Sequence, residues 1–126
     1  MSKRQRFSLA ARVRSFGYAF KGFAHFFASQ HNGWIHAVAA AVVIAASCYF
    51  DISRLEWCAV LLAIGAVLCA ELLNTAVEFI VDLVSPEHNE LAGKAKDVGA
   101  AAVLVMAMAA AGVGVVVFGP RVLGLF

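Results

Sequence analysis

The sequence predicts an all-α integral membrane protein, in which an N-terminal amphipathic helix lying in the membrane interface is followed by three transmembrane helices. Three observations predict it. Hydrophobic residues make up 63% of the 126 residues, and a soluble domain this small has too much surface per volume to hide that much apolar area. Three stretches, 34–50, 55–84 and 98–118, approach the ~20 mostly apolar residues that a membrane-spanning helix needs. Ahead of the first of them, aromatic residues alternate with cations. The length fits one domain, 1–126.

The interfacial helix is expected over about 5–30. Phe7, Phe16, Tyr18, Phe20, Phe23, Phe26 and Phe27 are interleaved there with Arg12, Arg14 and Lys21, so aromatics can enter the bilayer while cations meet anionic headgroups. No nucleic-acid partner is expected. The same cations interrupt any apolar run that would make a cleavable signal peptide. The spans are placed at 33–50, 55–84 and 92–118. Asp51-Ile52-Ser53-Arg54 joins the first two. Ser85-Pro86 breaks the second helix, and Asn89 is a candidate N-cap for the third.

Eight of the ten Lys and Arg residues lie before the first span or between the second and third; only Arg54 and Arg121 lie on the other side. The positive-inside rule then puts the N-terminus in the cytoplasm, which makes this a multi-pass protein of a bacterial inner membrane. Cys48, Cys58 and Cys69 fall in apolar segments, are odd in number and have no metal spacing. They are expected to be small buried residues.

The informative feature is acid inside the second span. At about 100° per residue, Glu71, Asn74, Thr75, Glu78 and Asp82 share one helix face. An ionisable residue in hydrocarbon costs about 2.5–3.5 kcal/mol, so this stripe must face protein or a wet cleft. The 14 apolar residues 57–70 span about 21 Å, placing Glu71 roughly two-thirds of the way through the bilayer core. Glu78 is about 10 Å further on, near the headgroups. A purely structural hydrogen-bond ladder does not suit three acids on one face, because like charges repel unless a cation or a proton is shared. The run Glu87-His88-Asn89-Glu90-Leu91-Ala92-Gly93-Lys94-Ala95-Lys96-Asp97 brings lysines next to these acids. Lysines for phosphate oxygens and carboxylates for a metal suit a nucleotide carrying Mg²⁺. No GxxxxGK[ST] loop is present.

Ala70-Glu71-Leu72-Leu73-Asn74-Thr75-Ala76-Val77-Glu78, then Val81-Asp82-Leu83-Val84-Ser85-Pro86-Glu87, then Ala95-Lys96-Asp97-Val98-Gly99, resemble the signature of the prokaryotic diacylglycerol kinase family. Ser15-Phe16-Gly17-Tyr18-Ala19-Phe20-Lys21-Gly22 resembles its N-terminal motif, and the likeness runs over about residues 12–118. The resemblance implies a homotrimer with active sites between protomers. It implies a kinase moving the ATP γ-phosphate to a membrane lipid alcohol, with Mg²⁺ as cofactor. Glu71 would be the general base and Glu78 a ligand of the metal. Asn74 and Glu71 would meet the lipid. Lys96, Asp97, Glu87 and Asn89 would line the nucleotide side. Tyr18 would contact substrates together with Arg12 or Arg14. Gln30 stands where the family usually has a Glu as second metal ligand. Recruitment of His31 or His36 for a softer metal is the alternative at that position.

Leu83-Val84-Ser85-Pro86-Glu87-His88, Asn32 with His36, and Leu55-Glu56-Trp57 resemble the undecaprenol kinase branch more than the diacylglycerol kinase branch. Undecaprenol is therefore the favoured substrate and diacylglycerol the alternative. A small transporter or channel using Glu71, or a non-catalytic membrane subunit, are the competing classes.

Overall fold

The computed structural model describes residues 6–124. Lys3 and Arg4, counted above, and residue 5, where the interfacial helix is expected to begin, lie outside the described residues. Four helices follow one another: α1 (Leu9–Ser29), α2 (His31–Tyr49), α3 (Arg54–Val84) and α4 (Glu90–Val122). The last three are long and apolar enough to cross a membrane, and the chain is a multi-pass membrane protein.

Local chemistry sets each boundary. Ser8 caps α1, its hydroxyl accepting from the Ala11 N–H at 3.3 Å. A single extended residue, Gln30, ends α1 and starts α2: its N–H donates to Phe26 O, and its own carbonyl accepts from Gly33 N–H. The turn is tight because Phe26, 1% exposed, lies flat against Gly33, where an added Cβ would sit 2.7 Å from the ring. Trp34 packs beside Phe27 and donates its indole N–H to the Phe27 carbonyl at 3.1 Å. Ser53 and Glu56 form a reciprocal capping box at the start of α3. Asp51, just before it, takes a positive φ of 49°, which Asp tolerates better than most residues. Helix α3 stops at Val84, ahead of Ser85-Pro86. Asn89 Oδ1 then accepts from the Leu91 and Ala92 N–H groups and caps α4.

α4 therefore begins well before its apolar stretch, and it also runs past it. Arg121, expected in a tail outside the third span, is in the last turn of α4. It forms a two-pronged ion pair with Glu56 at 2.6 and 2.8 Å and also donates to the Val117 carbonyl. Below this pair Ile52, Val60 and Val117 form a buried cluster, with the Phe50 and Phe118 rings tilted against each other, their centroids 6.1 Å apart. The end of the bundle at the α2–α3 turn is thus closed by apolar packing and one ion pair, and the polar stripe of α3 occupies the other end.

α3 and α4 pack closely along their length, with Ala66, Ala70, Gly99 and Ala102 facing the groove between them; small residues let membrane helices approach. The three cysteines do not lie inside: all are exposed on the chain. Hydrophobicity cannot separate the two faces of a membrane helix, because the lipid-facing side is as apolar as the packed side.

Candidate active site

The stripe on α3 meets a different partner at each step, and the partners come from three elements. Glu71 is 4% exposed. Its Oε1 lies 2.7 Å from Nε2 of His36 on α2. An ionised carboxylate is acceptor-only, and with Glu71 in that form the imidazole nitrogen is the donor. Thr75, one turn on, is also buried and donates its hydroxyl to the Glu71 main-chain carbonyl at 2.9 Å. Glu78, two turns from Glu71, accepts from the Gln30 side-chain amide at 2.9 Å. Asp82 takes Lys96 of α4 in an exposed ion pair of 2.7 Å. Lys94 does not join the stripe; it pairs with Glu90 on its own helix at 3.6 Å.

Asn74 is turned toward α4. Its Oδ1 is buried and has no hydrogen-bond partner among the described residues. It fits only because residue 99 is glycine: a Cβ there would land on Oδ1. Buried acceptors are usually paired, so this amide oxygen is an exception, held against Gly99.

A cleft of about 410 Å³ lies between α2, α3 and α4. Its walls are apolar and mostly small, among them Ala39, Ala63, Val67 and Ala110, and His36 is its one titratable lining residue. His36, on the wall of this cleft, is the residue that contacts the buried Glu71. The arrangement holds a shielded carboxylate, Glu71, behind the His36 side of the apolar cleft, with a second, half-buried carboxylate, Glu78, two turns nearer the polar end.

Among the described residues no three His, Cys, Asp or Glu side chains cluster as a metal cage. That excludes a closed Zn-type site there, but not Mg²⁺, which keeps several waters and takes one or two carboxylates plus substrate phosphates. Glu78 supplies one carboxylate, and Gln30 beside it turns its amide N–H toward Glu78; with that amide turned over, its oxygen and the carboxylate would make a donor set that fits Mg²⁺. Neither His31 nor His36 joins them: His36 is held by Glu71 and His31 is exposed.

The family model described as prokaryotic diacylglycerol kinase matches residues 17–118, which include every one of these contacts. The chain belongs to the prokaryotic diacylglycerol kinase family. Within that family it is 37% identical over 120 residues to an undecaprenol kinase of Bacillus subtilis, covering 95% of this chain and 98% of the relative. It is 40% identical over 112 residues to a diacylglycerol kinase of Synechocystis, covering 88% of this chain and 64% of the relative. A diacylglycerol kinase of Escherichia coli K12 is 30% identical over 93 residues, with 74% of this chain and 76% of the relative covered.

In this member of the family, tertiary structure joins Glu71 with His36, Glu78 with Gln30, Asp82 with Lys96 and Asn74 with Gly99. Tyr18, Arg12, Arg14, Glu87 and Asp97 are exposed, with no hydrogen bond to the stripe among the described residues; Asn89 is spent on its cap. The contact that sequence reasoning missed is His36 to Glu71. Its signal was present: a lone ionisable side chain on an otherwise apolar stretch of the first span, facing a buried acid that needed a donor.

Proposed function

We propose that the protein is an ATP-dependent lipid kinase that phosphorylates a membrane alcohol, with undecaprenol favoured over diacylglycerol. The observation that carries this reading is the buried Glu71 carboxylate, at the inner end of the polar stripe and in contact with His36 on the wall of an apolar cleft. A lipid chain in the cleft brings its hydroxyl to Glu71, while a nucleotide approaches from the side of Glu78 and Lys96. Glu71 takes the hydroxyl proton as the lipid oxygen bonds to the γ-phosphorus, and the bond to the β-phosphate oxygen breaks to release ADP. Asn74, on the same face of α3 as Glu71, contacts the lipid substrate. Glu78 and Gln30 would hold Mg²⁺, which when bound neutralises charge on the phosphates. Lys96 and Asp97 face the nucleotide, with Glu87 and Asn89 at its edge. Tyr18 and Arg12 or Arg14 complete the substrate contacts from α1, which lies in the cytoplasmic interface of a bacterial inner membrane.

The favoured lipid follows from the relative that matches almost end to end. Phosphate transfer from labelled ATP to undecaprenol and to diacylglycerol, side by side in mixed micelles, tests it. kcat/KM is expected to be higher for undecaprenol by about tenfold or more, the scale on which an apolar pocket discriminates between fitting and misfitting chains. The reverse order makes it a diacylglycerol kinase, and no transfer to either lipid removes the kinase reading.

The working form is a homotrimer with sites shared between protomers. In support, few of the described residues are fully buried within one chain. Mixing the inactive Glu71→Gln and Lys96→Met variants is expected to restore part of the activity through hetero-oligomers. No recovery at any ratio, with subunit exchange verified, places both residues in a site built by one chain.

A further inference from the structure

Glu71 has one side-chain partner among the described residues, and it comes from a different helix. The two groups are unequal in exposure: the Glu71 side chain is 6% exposed and that of His36 is 23% exposed, on the wall of the cleft. Resting on the lipid-kinase reading, we propose that His36 is a positioning residue for the base: its imidazole donates Nε2–H to Glu71 Oε1, fixing the carboxylate so that Oε2 is the oxygen that meets the lipid hydroxyl.

The physical need is plain. A carboxylate on an unbranched stem has several rotamers, and a reacting geometry tolerates little drift. An error of about 1 Å in placement costs on the order of 10²-fold in rate. Among the described residues of the chain, no other side chain supplies the restraint. On α3, Glu78 is engaged by Gln30 and Asp82 by Lys96. On α4, Lys94 is paired with Glu90, and Asp97 is exposed. His25 on α1 and His31 on α2 are exposed and lie in no ion pair among the described residues. Thr75 holds the Glu71 main chain, not its carboxylate. The step keeps its balance without a relay: the hydroxyl proton ends on Glu71 Oε2, and the Nε2 proton of His36 stays where it is.

A merely space-filling role and a positioning role differ in what restores them. His36→Ala is expected to lower kcat by about 10²-fold with little change in the KM for Mg·ATP. His36→Gln, which keeps a side-chain N–H within reach of Glu71, is expected to recover most of that loss. So is free imidazole added to His36→Ala, because the vacated site opens on the cleft. Loss in His36→Ala that neither Gln nor imidazole relieves overturns the proposal, as does wild-type kcat in His36→Ala. A measurement independent of turnover covers a variant that fails to fold: the ¹⁵N signal of the His36 side chain in labelled wild-type protein should report an Nε2–H hydrogen-bonded to a carboxylate, and should move in Glu71→Gln. An unchanged signal in Glu71→Gln overturns the contact itself. If wild type transfers no phosphate to any lipid, the kinase reading fails instead, and the NMR result still decides whether the pair exists.

Discussion

Glu71→Gln is expected to lower turnover by about 10²–10⁴-fold, the range typical for loss of a general base, while Mg·ATP affinity stays nearly unchanged. The substitution suits the question because it alters little else. Glutamine has the shape of glutamate, and its amide oxygen can still accept from His36 Nε2–H, so the contact between α2 and α3 survives. The Thr75 hydroxyl still donates to the main-chain carbonyl of residue 71, since that bond does not involve the side chain. What disappears is the group able to take a proton. Removal of the charge also relieves α3 of a buried carboxylate, so thermal stability should hold or rise. Single-turnover phosphate transfer, with nucleotide binding measured separately on the same protein, gives the two numbers needed. Turnover like wild type means that Glu71 is not the base and that the hydroxyl is deprotonated elsewhere.

Glu78→Gln is expected to cost about 10²–10³-fold, the scale seen when one preorganised charge contact to a reacting group is lost, and the effect should fall on the Mg²⁺ requirement. Glu78 is the only charged member of its pair; Gln30 contributes an amide. In wild type the amide nitrogen of Gln30 faces Glu78, so Mg²⁺ binding requires the amide to turn its oxygen inward or to give way. Gln30→Glu removes that step and adds a charge. Two carboxylates within hydrogen-bonding distance repel unless a cation or a proton lies between them. The variant should therefore be less thermally stable in a chelator and regain stability with Mg²⁺. Its half-maximal Mg²⁺ concentration should fall by about tenfold, equivalent to about 1.4 kcal/mol. A parallel Mn²⁺ titration should show no special preference, because no imidazole faces the pair. An Mg²⁺ requirement in Gln30→Glu equal to or above that of wild type would place the metal away from residue 30.

The two predictions draw on different parts of the chain, and the sequence was not equally informative about them. The spans, the break at Ser85-Pro86 and the Asn89 cap were legible because each rests on a local rule: apolar length, the missing proline N–H, a side chain that satisfies orphan N–H groups. The α3 stripe was legible for the same reason, since helical periodicity alone puts residues 71, 74, 75, 78 and 82 on one face. The motifs shared with the kinase family were legible as motifs, and they led to the family before any geometry was known.

Periodicity says which residues share a face but not what that face meets. That His36 holds Glu71, that Gln30 reaches Glu78 across 48 positions of sequence, and that Lys94 turns away while Lys96 engages Asp82 depend on how helices cross, which no local rule contains. The outward cysteines and the inward Asn74 have the same origin. In lipid both faces of a helix are apolar, so hydrophobicity loses the power to tell inside from outside that it has in water. By itself the sequence determined four helices, a polar face on α3 and a family. Tertiary structure decided which acid is shielded, which donor holds it, and where glycine at 99 makes room for an amide, because those depend on close packing between helices distant in the chain.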